Sequence, residues 1–161
     1  MGKSSIVILN SNKCVSGNTQ RAQYFVDWKA ILDVNKKYYL HWTYLGGANV
    51  FTGTKLPCIY AEFLTTNFMN DPTGQSMLSG ANNTQMLGFL KPIVLAGSTN
   101  TVYFQAEDNT NLPIYLPTPP TNNIFNVSIL DNNSAPYLDT ATTPVAPAAY
   151  VLLLRFTEIE E

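Results

Sequence analysis

Lys37-Tyr38-Tyr39-Leu40-His41-Trp42-Thr43-Tyr44-Leu45 is the stretch whose reading decides the fold. Tyr38, Leu40, Trp42 and Tyr44 fall on one side, and Lys37, Tyr39, His41 and Thr43 on the other. That is the period of two expected of a half-buried strand with an aromatic core side. Working outward, residues 5–9, 23–28, 58–65, 87–95, 101–106, 112–116, 124–130 and 150–156 alternate similarly or form short apolar blocks. With 37–45 they give about nine strand candidates, some of them halves of one strand. Gly46-Gly47, Asp71-Pro72-Thr73-Gly74, Ala96-Gly97-Ser98, Pro117-Thr118-Pro119-Pro120 and Asp131-Asn132-Asn133 supply turn chemistry between them. Only 27–35, with Trp28, Ile31 and Leu32 at helical spacing, predicts a short helical turn.

Two segments are apolar at every position, Ile6-Val7-Ile8-Leu9 and Val151-Leu152-Leu153-Leu154. Such runs predict strands buried on both faces. An eight-stranded antiparallel jelly-roll sandwich sets its last strand inside a sheet next to its first, and these two segments suit those places. The expected architecture is therefore all-β, a single jelly roll over residues 1–161 as one domain. Residues 66–85 and 130–147 are the longest stretches without alternation, and loops of that length usually have a role.

Composition narrows the function. Of 161 residues, 45% are hydrophobic and only 12% charged, about half the usual charged share, with Asn, Thr and Ser making up the difference. That surface suits packing against other protein subunits. The net charge of −2 offers no basic excess to neutralise phosphates, so no direct nucleic-acid contact is expected. The Ile6–Leu9 run is far too short for a signal-peptide core or a membrane span, so membrane insertion is not expected. Gly2 and Ser5 depart from the spacing of a myristoylation signal. Cys14 and Cys58 imply no disulfide framework, and two free thiols are the expectation.

No catalytic set emerges. His41 is the only histidine, which removes Ser-His-Asp and Cys-His arrangements built on any other imidazole. One His and two distant Cys lack the paired spacing of a zinc site. Asp131-Asn132-Asn133-Ser134 offers oxygen ligands for Ca²⁺, but Pro136 and Thr142 stand where an EF-hand needs Gly and Glu, so an irregular site competes with an ordinary Asx-rich turn. Glu107 and Asp108 are adjacent on a probable strand end and point to opposite faces, unlike a glycosidase pair. Gly46-Gly47 and Ser16-Gly17-Asn18-Thr19 lack the lysine of a phosphate loop. A chain without catalysis, cofactor or metal is predicted. Tyr24, Tyr39, Phe51, Phe68, Tyr115 and Tyr137 are read as aromatics available for interfaces or for stacking on sugars.

Ile8-Leu9-Asn10-Ser11, Asn18-Thr19, Tyr24-Phe25-Val26-Asp27-Trp28 and Tyr38-Tyr39-Leu40-His41-Trp42 near the start, with 125–132 and 150–156 near the end, carry a family likeness. The chain resembles the single jelly-roll penton (vertex) capsid proteins of nucleocytoplasmic large DNA viruses at both ends, and the middle matches poorly. The resemblance implies a structural virion component assembled in the host cytoplasm, a homopentamer at the icosahedral fivefold vertices. Its neighbours would be major capsid proteins and other minor capsid proteins. Another single jelly-roll minor capsid protein and a carbohydrate-binding jelly-roll module, a spike base or lectin-like domain, are the alternatives. Under the structural reading the long loops are the expected contact regions, with Phe68, Met69 and Met77 in the first, Asp131, Tyr137 and Asp139 in the second, and Tyr115 beside them.

Overall fold

The computed structural model describes residues 2–47, 57–64, 86–94, 101–106, 113–131 and 149–160. Ten strands account for most of them: β1 (Ser4–Asn10), β2 (Ser16–Gly17), β3 (Arg21–Phe25), β4 (Tyr38–Gly47), β5 (Cys58–Ala61), β6 (Met86–Val94), β7 (Thr101–Ala106), β8 (Ile114–Leu116), β9 (Ile124–Leu130) and β10 (Tyr150–Glu158). Helical structure among the described residues is confined to a 3₁₀ turn at Ser11–Lys13 and to α1 (Trp28–Ile31), within the predicted helical span. The strands pair antiparallel in the order β1-β10-β4-β7-β6-β5-β9-β3-β2, with β8 also on β4, and the sheet curls into a half-barrel.

The first and last strands are neighbours, as expected. β1 pairs β10 with Val7 opposite Leu154 and Leu9 opposite Leu152, and β10 continues onto β4 with Leu154 opposite Trp42 and Phe156 opposite Leu40. β4 is long enough to hold two partners on its other side: β8 along Tyr38–Leu40 and β7 along Leu45–Gly47. β7 and β8 therefore run end to end as two halves of one strand. β6 pairs with both β5 and β7 and joins one limb of the curl to the other.

Across the interior the limbs meet through aromatic rings. Trp28, carried by α1, packs on Phe63, Phe125 and Phe156 with ring centroids 4.9, 5.6 and 5.5 Å away. Its indole N–H donates to the Asn122 carbonyl at 2.9 Å, which satisfies the polar end of a residue only 1% exposed. The neighbouring backbone is tied to the same turn, since Val26 N–H donates to the Asn123 carbonyl. At the other end, the Tyr24 hydroxyl on β3 donates to the Tyr150 hydroxyl on β10 at 3.0 Å, and Tyr150 stacks on Tyr44 at 5.2 Å. Burial pushes the Tyr24 phenol up to about 12 and raises that of Tyr150. Both hydroxyls stay protonated at physiological pH, Tyr24 donating and Tyr150 accepting.

Three expectations are corrected. The all-apolar segments are not covered twice: Val7 and Leu9 are buried, whereas Ile6 and Ile8 are 57% and 62% exposed, because β1 ends the sheet and nothing described lies over its outer face. β10 is interior in the sheet order, yet Leu152 and Leu154 point inward while Val151 and Leu153 face outward. Tyr24 is a core residue at 4% exposure, because the alternation of β3 aims it at Tyr150. Gly46 and Gly47, read as a turn, instead extend β4, and a side chain at Gly46 would strike the Tyr44 ring.

Substitution of neighbouring leucines on β10 separates the two faces. Leu154→Ala is expected to cost about 2–5 kcal/mol through the cavity it leaves, and Leu153→Ala only about 1 kcal/mol in the isolated chain. Thermal or urea unfolding of the two variants measures the difference.

Candidate contact face and polar cleft

The outer surface of the β1-β10-β4 limb is built in rows set by strand register. Ile8, Leu153 and Thr43 form one row; Asn10, Val151 and Leu45 the next; Ile6, Arg155 and His41 lie on the other side. Ile6, Ile8, Leu45 and Val151 keep 40–62% of their surface exposed. The apolar surface continues round the β1 edge into a groove of about 570 Å³ between β1 and the β3–α1 segment, where Ile6 and Ile8 are joined by Val15, Phe25 and Ile31. Ile124 stands directly opposite Phe25. Thus eight of the nine large apolar side chains left exposed among the described residues cluster on this face and groove, and Val34 is the exception. Scattered exposed apolar residues are ordinary, but a contiguous patch marks a contact surface.

His41 sits on this limb beside Arg155. Its Nδ1 is buried without a hydrogen-bond partner among the described residues. Burial first, then the Arg155 charge, hold the imidazole below its ordinary value. The arrangement disfavours the imidazolium.

The other limb carries different chemistry. Across β3, β9 and β5, Arg21 stands opposite Ser128 and Ser128 opposite Tyr60. Arg21 Nη2 pairs with Glu62 Oε1 at 3.1 Å, and Glu62 Oε2 accepts from Asn126 N and Nδ2 at 3.1 and 2.9 Å. Asn18 closes the β2–β3 turn, its Oδ1 accepting from the backbone N–H of Gln20 and Arg21 at 2.9 and 3.1 Å. Asn18, Gln20, Arg21, Tyr60, Glu62 and Ser128, with Leu130, line a cleft of about 340 Å³. Arg21 lies outside the strand predicted over 23–28, and the convergence of these side chains depends on cross-strand register, which leaves no local signal.

Of the predicted contact residues, Phe68, Met69, Met77, Tyr137 and Asp139 lie outside the described residues, as do Phe51, Glu107, Asp108 and Asn132 to Thr142 of the calcium reading. Tyr115 is half-buried on β8, its ring 6.0 Å from that of Tyr39 in the adjacent β4 row. Asp131 is buried at 2% exposure, next to the strand row that holds Cys58. The structure does not bring Tyr115 and Asp131 together on one surface: one belongs to the β4 limb, the other to the end of β9. Both cysteines are free thiols, Cys58 buried and Cys14 half-buried, and no group of three or more His, Cys, Asp or Glu side chains among the described residues is placed to hold a metal ion.

Two solution measurements follow from these environments. A His that folds with a depressed pKa leaves the unfolded chain binding more protons below its ordinary value near 6.5, so stability is fully present above that pH and declines as pH falls through it. His41→Gln is expected to flatten that slope in unfolding experiments run between neutral and mildly acidic pH. The Cys58 thiol is pushed up to about 12, first by burial and then by the Asp131 charge. A thiol reagent at neutral pH is therefore expected to label Cys14 in the folded chain and Cys58 only after denaturation, as read by peptide mass spectrometry. Comparison of the chain with family models, with curated proteins and with solved structures finds no match.

Proposed function

We propose that this chain is a structural capsid subunit, a single jelly-roll penton protein that forms homopentamers at the vertices of a large DNA virus particle. The observation that carries the proposal is the mismatch between sequence and coverage on β1 and β10. Both strands are apolar on two faces, as strands covered on both sides are, and among the described residues the chain covers one. The second cover then comes from other subunits, copies of this chain and neighbouring capsid proteins, meeting the row of Ile6, Ile8, Leu45, Val151 and Leu153.

Strand order supports the jelly-roll reading. Taking β7 and β8 as one interrupted strand and β2 as a two-residue extension of the β3 hairpin, eight strands remain in two sets of four, β1-β10-β4-β7 and β6-β5-β9-β3. Two interleaved Greek keys produce an order of that kind, with the last strand beside the first. The low charge content favours the same role, because subunits packed edge to edge gain little from mutual repulsion.

A fivefold ring uses a heterologous contact that closes after five copies. Native mass spectrometry of the purified chain is expected to give pentamers, and particle density to place it at fivefold vertices. Ile8→Lys is expected to weaken that association at least about tenfold while shifting the monomer's stability by no more than about 0.5 kcal/mol, since the side chain is exposed in the single chain. A chain that is monomeric at every concentration and absent from vertices would refute the proposal.

A further inference from the structure

The geometry points to a second binding site on the opposite limb: we propose that the cleft formed by Asn18, Gln20, Arg21, Tyr60, Glu62 and Ser128 binds a neutral carbohydrate, one or two sugar rings in size. The proposal goes beyond the capsid role and uses a surface that role leaves aside.

Four features argue for this ligand class. Glu62 is positioned before any ligand arrives, because Asn126 holds it through two hydrogen bonds, and it pairs in turn with Arg21. Pre-set groups lose little conformational freedom on binding. Among the described residues that line the cleft the charges cancel, since the Arg21 guanidinium is matched by the Glu62 carboxylate at 3.1 Å, which leaves little net attraction for an anion. Donors and acceptors are mixed: Arg21 stays 65% exposed with further N–H groups, Asn18 commits its carbonyl oxygen to the backbone and leaves its NH₂ to donate, and the Ser128 and Tyr60 hydroxyls do both. A sugar hydroxyl is likewise donor and acceptor at once, and this mixture matches it better than it matches a phosphate or an apolar side chain. Finally, Tyr60 brings a half-buried ring to the cleft beside Leu130, and the electron-rich face of an aromatic ring suits the polarised C–H face of a pyranose. Burial raises the Tyr60 phenol, which keeps it an O–H donor at neutral pH.

The cleft volume of about 340 Å³ lies at the small end of ligand sites. It sits on the β3-β9-β5 surface, whereas the apolar row lies on β1-β10-β4, so a subunit can be packed on one side and occupied on the other.

The test titrates the intact chain with methyl β-D-galactoside, methyl α-D-glucoside, N-acetylglucosamine and, as an anionic comparison, N-acetylneuraminic acid, read by amide chemical shifts and backed by an array of immobilised oligosaccharides. At least one neutral sugar is expected to move the resonances of Arg21, Ser128 and Tyr60. Arg21→Ala is expected to reduce its affinity about tenfold, and Tyr60→Ala to remove binding, while Ile8→Lys leaves binding intact. Circular dichroism and the unfolding midpoint of each variant establish that it folds, and Tyr60→Phe keeps the ring if Tyr60→Ala does not. Silence across all sugars, binding indifferent to Arg21→Ala and Tyr60→Phe alike, a tenfold preference for the anionic sugar, or a change of oligomeric state on Arg21→Ala would each overturn the proposal. None of these outcomes bears on the apolar face, whose own test is subunit association.

Discussion

The rest of the structure depends on one side chain wedged between the two limbs of the sheet. Trp28 touches Phe156 on β10, Phe125 on β9 and Phe63 just after β5, so a single indole fixes the spacing of three segments far apart in sequence. Its N–H bond to the Asn122 carbonyl also sets its depth, since a buried indole without that partner would carry a desolvation cost of about 1–3 kcal/mol. α1 exists to deliver this ring: it is one short turn, has no side-chain cap, and is docked through the 122–123 turn rather than stabilised by its own length. Ring on ring contact, Phe63 against Phe125 at 4.9 Å, spreads the same constraint along β9.

With the interior closed in that way, the two outward surfaces are free to differ, and they do. One limb presents isoleucine, valine and leucine in register; the other presents Arg21, Glu62 and Asn126 joined by hydrogen bonds, with Ser128 opposite Arg21. A strand's period of two lets one sequence serve a shared core and two unlike exteriors. The division of labour proposed for the two surfaces rests on that contrast.

How much of this was legible beforehand varies by element. β4 was read correctly face by face, because Tyr38, Leu40, Trp42 and Tyr44 alternate with polar or smaller partners over a long strand. The adjacency of β1 and β10 was also legible, from two unusual all-apolar runs. Their burial was not, because a sequence states which residues avoid water without stating which molecule covers them. Tyr24 has the sequence setting of a surface ring, since nothing local signals that its hydroxyl meets Tyr150 across the interior. Gly46 looked like a turn residue, although its small size is needed where the Tyr44 ring lies against the strand. The polar cleft had no signature at all: its parts come from three strands and a turn, and only register assembles them.

The position of β10 has a consequence for how the chain is made. It lies between β1 and β4 in the sheet but follows both by more than a hundred residues, so on the ribosome the Ile6–Leu9 segment waits unpaired until Val151–Leu154 emerges. At ordinary elongation rates that interval is on the order of ten seconds. During it an apolar strand lacks the neighbour it pairs with among the described strands, which makes nascent β1 a natural ligand for chaperones and ties completion of this limb to synthesis of β10.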